Sequence, residues 1–302
     1  MKKLSATNRA MLAALTAFSI FGLSYLFSKM ALRVAEPMIL LFVRFFVTVI
    51  ILDLLVLCRF GKLSLRGKPL GAAMLVGILQ PVLYFILENY GLKYTTTSFT
   101  GIVASVSPIF TTLLGILFLK EYPNVRQWIF ISVSIVGVLL VSVGGTGGAN
   151  TWYGCLCLLA AYLVGSLYTV AIRRMSETFT TFELTFVMFH VGFLFFAVLA
   201  FLQYGGNMLP MVGAALSEPT FIPAVLYLGG LSSVGAYMLV NFSLAHLPVS
   251  RSNIFSCFAT VVSVLSGIII MGDPFTPVSL ISMILILVGV YGVNRFAAQE
   301  ET

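Results

Sequence analysis

Residues 84–92 read YFILENYGL, and residues 236–244 read AYMLVNFSL. Displaced by 152 positions, the two stretches run together without a gap: Asn89 falls on Asn241 and Leu92 on Leu244. The register holds further on. Ser98 falls on Ser250, Ile102 on Ile254, Leu113 on Leu265, and Gly115-Ile116 on Gly267-Ile268. Val136-Gly137-Val138 falls on Val288-Gly289-Val290, Glu121 on Asp273 and Asn124 on Thr276. Apolar segments match by chance, because few residue types are in use. Shared asparagines and glycines are harder to obtain that way, so the chain reads as an internal duplication.

Each copy is built of lipid-compatible segments. Of the 302 residues, 60% are hydrophobic and 9% are charged, whereas a soluble domain needs about 25% charged residues to solvate its outside. About 20 apolar residues make one crossing. Ten segments qualify: 10–31, 37–57, 70–92, 97–119, 124–143, 152–173, 180–202, 221–247, 249–271 and 276–296. The sequence therefore predicts an all-α integral membrane protein of ten transmembrane helices, with a first five-helix repeat over 1–148 and a second over 149–302. The first apolar run is too long for a cleavable leader and turns directly into another span. Cys58, Cys155, Cys157 and Cys257 lie in or beside apolar segments without metal spacing, and read as small packing residues.

The net charge of +7 would suit nucleic acid, but its distribution is that of membrane topology. One set of segment ends holds Lys2, Lys3, Arg9, Arg59, Lys62, Arg66, Lys68, Lys120, Arg126, Arg173, Arg174, Arg251 and Arg295; the other holds Lys29, Arg33 and Lys93. Thirteen against three makes the crowded side cytoplasmic, with both termini inside, and no nucleic-acid partner is expected. Five spans per copy is an odd number. The second copy must then enter from the opposite face, and the halves are inverted, a recurrent design of secondary transporters.

Several motifs resemble a known family. These are Leu41-Phe42-Val43-Arg44-Phe45-Phe46, Gln80-Pro81-Val82-Leu83-Tyr84 and Tyr90-Gly91-Leu92-Lys93-Tyr94-Thr95. Ser107-Pro108-Ile109-Phe110, Leu119-Lys120-Glu121, and Tyr168-Thr169-Val170 followed by Arg173-Arg174 continue the series. Their order and spacing over essentially the whole chain resemble EamA-type members of the drug/metabolite transporter superfamily. The resemblance implies ten helices and a central cavity lined by helices 1, 3, 4, 6, 8 and 9. It also implies export or exchange of amino acids, related metabolites or drug-like compounds without ATP, in a bacterial inner membrane. The chain departs from the family where Asp273 replaces a glutamate after the ninth helix, and where Thr260 stands in the ninth helix opposite Pro108 of the fourth.

The candidate substrate-binding residues are polar groups placed mid-span. Gln80, Tyr84 and Glu88 share one face of the third span at i, i+4, i+8. Ser233, Tyr237 and Asn241 do so on the eighth, but the two faces differ by about 100°, so sequence leaves open which one faces a cavity. Ser24 and Tyr25 with Gly22 mark the first span, and Tyr168 with Gly165 and Ser166 marks its counterpart, the sixth. Ser107 begins the small-residue stripe Ser107, Thr111, Gly115, mirrored by Ser252, Ser256, Thr260; such stripes serve helix packing first. Arg44 could pair a substrate carboxylate, but the resemblance implies an arginine there whatever the substrate, which favours a structural role. Glu88 could bind an amine, take a proton, or pair with Lys93 or Lys29. His190, alone on an apolar span, is a second candidate for proton coupling, and Glu183 reads as a solvated end residue. Lys120, Glu121 and Asp273 read as helix-end groups acting on the helix that follows.

No cofactor or metal is expected, and no catalytic constellation or phosphate loop is present in the sequence, so an enzyme is not expected. Function is read as secondary transport by alternating access, with a small-molecule substrate and the lipid bilayer as partners and a homodimer left open. The alternative is an integral-membrane enzyme or a non-transporting scaffold. A channel lacks the expected ring of carboxylates or carbonyls.

Overall fold

The computed structural model describes residues 6–119, 124–144, 150–175, 177–247 and 255–297. Lys120, Glu121, Ser250, Arg251, Ser252, Ile254, both chain ends and the side chains of Arg173, Arg174 and Cys257 lie outside the described residues. The described chain is helical throughout its apolar segments. Helices α1 (Ala6–Leu32), α2 (Pro37–Leu57) and α3 (Leu70–Lys93) open it, followed by α4 in two pieces, Thr97–Ala104 and Ser107–Leu119. Then come α5 (Val125–Gly144), α6 (Trp152–Met175), α7 (Thr181–Tyr204) and a short surface helix, Met208–Leu216. Helix α8 (Phe221–His246), α9 (Ser256–Ser266, running on as a π turn Gly267–Met271) and α10 (Pro277–Ala297) complete it.

Among the described residues seven helices are long and apolar enough to cross a membrane, and three shorter apolar helices lie at Val125–Leu140, Phe258–Met271 and Pro277–Gly292. Leu57, Phe60, Leu139, Leu202 and Ile269 are exposed on the outside, the arrangement expected where lipid is the solvent.

Local chemistry sets the helix ends. Pro37 sits at the start of α2, where its missing N–H costs nothing. Thr96 caps α4 by accepting from Phe99 N, and Thr180 with Glu183 forms a reciprocal capping box at α7. Gly272 ends α9 in the left-handed conformation at φ +70°.

Helix α3 leaves α-geometry at Gln80 (φ −144°, ψ 116°), just before Pro81, which has no backbone N–H to give. Its π segment covers Ile78–Leu83. Shifted by 152 positions this becomes 230–235, which falls inside the π segment Tyr227–Ala236 of α8. The duplication is therefore visible as a matched irregularity, although α8 carries Ser233 where α3 has Pro81.

The packing respects the duplication. Helix α1 packs on α8 and α9, while α6 packs on α3 and α4; α2 packs on α7, and α5 on α10. Exchanging the two halves leaves this pattern unchanged. In the α5–α10 pair a Cβ on Gly137 would meet Ile286 and Leu285, and one on Gly289 would meet Ser134 and Phe130. The partner's number falls as the residue number rises, so these two sequence-equivalent helices run antiparallel. The α2–α7 pair does likewise. Asp53 meets His190 and Phe45 meets Phe196, while beyond the end of α2 Gly61 lies against Phe182.

Three end-group expectations are corrected. Glu183 is buried rather than solvated: its carboxylate accepts from Ser64 N (2.9 Å), Lys68 Nζ (2.5 Å) and Thr180 N (2.8 Å), tying the α2–α3 connection to the start of α7. Asp273 does not act on α10, the helix after it. Its Oδ2 accepts from Ser98 N at 2.8 Å, at the start of α4 in the other half. Lys29 and Lys93 do not pair with Glu88. Lys93 pairs with Glu36 at 2.6 Å, and Lys29 Nζ donates to the carbonyls of Leu92 and Thr95 at the end of α3.

Candidate functional site

A cavity of about 140 Å³ lies between the two repeats, walled by α1, α2, α3, α4, α6, α8 and α9. Eight of the nine sequence-selected binding candidates line it: Ser24, Tyr25, Gln80, Tyr84, Glu88, Ser107, Tyr168 and Tyr237. On α3 Gln80, Tyr84, Phe85 and Glu88 line the cavity, as Ser232, Tyr237 and Val240 do on α8, while Asn89 lies outside the lining and donates to Phe85 O within its own helix.

Two charged groups set the cavity's chemistry. Arg44 is 2% exposed. Its Nε donates to Ser233 Oγ at 3.0 Å, Nη2 reaches Ser232 Oγ at 3.4 Å, and the guanidinium carbon stands 4.2 Å from the Phe85 ring centroid. No protein acceptor among the described residues takes Nη1. Glu88 is 5% exposed and accepts one hydrogen bond, from Tyr84 Oη at 2.7 Å. Its second oxygen has no protein donor among the described residues. The two groups line the same cavity, yet among the described residues no salt bridge joins them. A buried charge without a full set of partners is costly, so both present unused hydrogen-bonding capacity to the cavity.

The remaining polar groups brace this pair. Ser24 Oγ donates to Ser232 Oγ at 2.8 Å and to Ile20 O, and Gln80 Nε2 donates to Tyr237 Oη. Ser166 Oγ donates to Ser107 O at 3.0 Å, and Tyr162 Oη to Thr100 O at 3.3 Å. Tyr25, Tyr84 and Tyr162 line the same cavity as Glu88, with the Tyr84 and Tyr162 rings 6.2 Å apart. Aromatic rings cover the other walls, with Phe21 and Phe85 flanking Tyr237.

Asn241 stands one layer behind this surface. It accepts from Tyr168 Oη at 2.9 Å, donates to Thr185 Oγ1 at 3.3 Å, and borders a second cavity of about 370 Å³ at the α6–α7 connection. His190 is not brought to the site. It faces outward on α7, stacked on Phe186, with Nε2 3.2 Å from Asp53 Oδ1.

Sequence reasoning passes over Ser232 and Tyr162 and ranks Arg44 as structural. Ser232 is within reach of it, because the 152 shift places this serine on Gln80. Tyr162, Gly165, Ser166 and Thr169 follow one helical stripe on α6. The charges are asymmetric where the scaffold is not: Val240 occupies the position equivalent to Glu88.

A multi-span helical protein whose two repeats enclose a polar, aromatic cavity belongs to the class of membrane transporters. The model of the EamA-like transporter family matches this chain twice, over residues 8–143 and 152–295, and the chain belongs to that family. The uncharacterized transporter YcxC of Bacillus subtilis (strain 168) is 32% identical over 290 residues, covering 94% of this chain and 92% of its own. A probable terminal-alkyne amino-acid exporter of Streptantibioticus cattleyicolor is 24% identical over 231 residues, covering 76% and 75%. A crystal structure 20% identical to this chain has the same fold, with a TM-score of 0.69 over 97% of this chain and 99% of that one.

Proposed function

We propose that this protein is a secondary transporter of ten spans in a bacterial inner membrane, moving small zwitterionic metabolites such as amino acids outward without ATP. The two repeats, 1–148 and 149–302, are inverted and both termini are cytoplasmic. The antiparallel packing of α5 with α10 supports the inversion, and the basic residues support the orientation.

The single observation that carries the substrate class is the unpaired couple Arg44 and Glu88. A carboxylate can accept from the free Nη1 edge of Arg44, and an ammonium can donate to the open oxygen of Glu88. Each substrate charge completes a buried protein charge, so binding removes a cost instead of adding one. The tyrosine and phenylalanine walls suit an apolar side chain. The amino-acid exporter among the relatives is consistent with this chemistry. Glu88 is the group through which a proton could be coupled, since His190 lies outside the cavity against Phe186 and Asp53.

Alternating access needs two states of similar free energy, and inverted copies supply them because each half can adopt the other's conformation. Counterflow of radiolabelled amino acids in proteoliposomes tests the reading. Flux is expected for at least one neutral amino acid, and Arg44→Gln and Glu88→Gln are expected to abolish it. No flux for any member of a full amino-acid panel sinks the assignment.

A further inference from the structure

The 152-position shift pairs Asn89 with Asn241, and a shift of 143 positions pairs Gly22 and Tyr25 of α1 with Gly165 and Tyr168 of α6. Each half thus owns one tyrosine and one asparagine in corresponding places. The two pairs are not in the same condition. Tyr168 Oη donates to Asn241 Oδ1 at 2.9 Å, and Asn241 Nδ2 is bound by Thr185. Asn89 is fully buried, its amide N–H is satisfied by Phe85 O, and its Oδ1 has no hydrogen-bond partner. Tyr25, which would supply the missing donor by correspondence, instead lines the cavity with Tyr84, Tyr162 and Glu88. An orphaned buried acceptor is uncommon in a native interior and marks an unspent interaction.

We propose that Asn89 and Asn241 are alternate moorings for the two tyrosines. In the state described here Tyr168 is moored on Asn241, and Tyr25 lines the cavity with Glu88. In the opposite state Tyr25 moors on Asn89, and Tyr168, already in the cavity wall, releases its hydroxyl from Asn241. The idea rests on the transport reading, since it needs two exchanging states. It is also specific to the repeat: the halves trade one hydrogen bond, so each state keeps one moored tyrosine and leaves one orphaned amide oxygen. Tyr25 lies in the outer part of α1 and Tyr168 in the cytoplasmic part of α6, so the trade re-lines the cavity at opposite ends. The asparagines are positioning residues, acting through the phenols.

The test uses a cavity reporter, Ser107→Cys, in full-length protein whose four native cysteines are serine. A membrane-impermeant thiol reagent is applied to right-side-out and inside-out vesicles, and the ratio of labelling rates reports the two states. Asn89→Leu is expected to leave thermal stability unchanged or raised, because its oxygen is unpartnered here, and to shift the labelling ratio at least tenfold toward the state described here. Tyr25→Phe, which removes only the hydroxyl, shifts the ratio the same way. Asn241→Leu is expected to lower thermal stability and shift the ratio the opposite way, and the double variant returns the ratio toward the parent. A ratio insensitive to both asparagines overturns the exchange, as does a loss of stability in Asn89→Leu. A parent cysteine that never reacts from the outer face removes the alternating-access reading itself, and the exchange with it.

Discussion

Substituting Gly289 by alanine probes the repeat interface with a calculable outcome. On α10 a Cβ at this position would overlap Ser134 Oγ and lie 2.6 Å from Phe130 O of α5. The hydroxyl can rotate away, but the carbonyl is backbone and moves only with its helix. Forcing one carbon into such a contact costs about 1–3 kcal/mol, and the better helix propensity of alanine returns up to about 1 kcal/mol. With the full propensity gain the net loss is about 0–2 kcal/mol. At Gly71 in α3 an added Cβ would have nothing within 4 Å, so Gly71→Ala gains up to about 1 kcal/mol by propensity alone. The propensity gain is common to both, so two chemically identical changes should differ by the steric cost of about 1–3 kcal/mol, on the order of 2–5 °C in melting temperature for a chain this long. Thermal denaturation of detergent-solubilised protein measures it. Ser134→Ala should recover part of the loss, because the backbone contact with Phe130 remains. If Gly289→Ala melts with Gly71→Ala, the close antiparallel approach of α5 and α10 is wrong.

Three further outcomes follow from the site and its supports. Arg44→Gln and Glu88→Gln each remove a charge-assisted hydrogen bond of about 1.5–3 kcal/mol, so amino-acid affinity by equilibrium binding should fall roughly 10- to 150-fold; an unchanged Kd in either contradicts the zwitterion reading. Glu183→Ala should destabilise by about 2 kcal/mol, because the capping box and two further bonds go together, while Lys68→Met, whose partly exposed ammonium is screened by solvent, should cost about 1 kcal/mol or less; equal melting curves would refute that ranking. His190→Gln sits outside the cavity, so counterflow should keep its KM and its pH profile; a flattened pH profile would return the proton relay to this residue.

The sequence by itself determined the membrane environment, the duplication and most of the polar groups that meet in the cavity. Those are properties of pattern. A shortage of charge cannot be hidden, matched asparagines and glycines survive a fixed shift, and i, i+4 spacing puts residues on a common face. It could not choose between the offset faces of α3 and α8, because both carry polar residues at i, i+4 spacing and only packing brings Gln80, Tyr84 and Glu88 to one cavity with Ser232 and Tyr237. Nor could it assign charge partners. Glu183 looks solvated in the sequence, yet Ser64 and Lys68 arrive from a connection more than 110 positions away. Asp273 looks local and reaches across to Ser98. Arg44 looks structural, and is only partly so: two serines of α8 hold one edge while the other is left to the cavity. Partnership between distant charges is decided by which helices pack, and packing is set by the complementarity of whole faces rather than by any residue's neighbours in the chain.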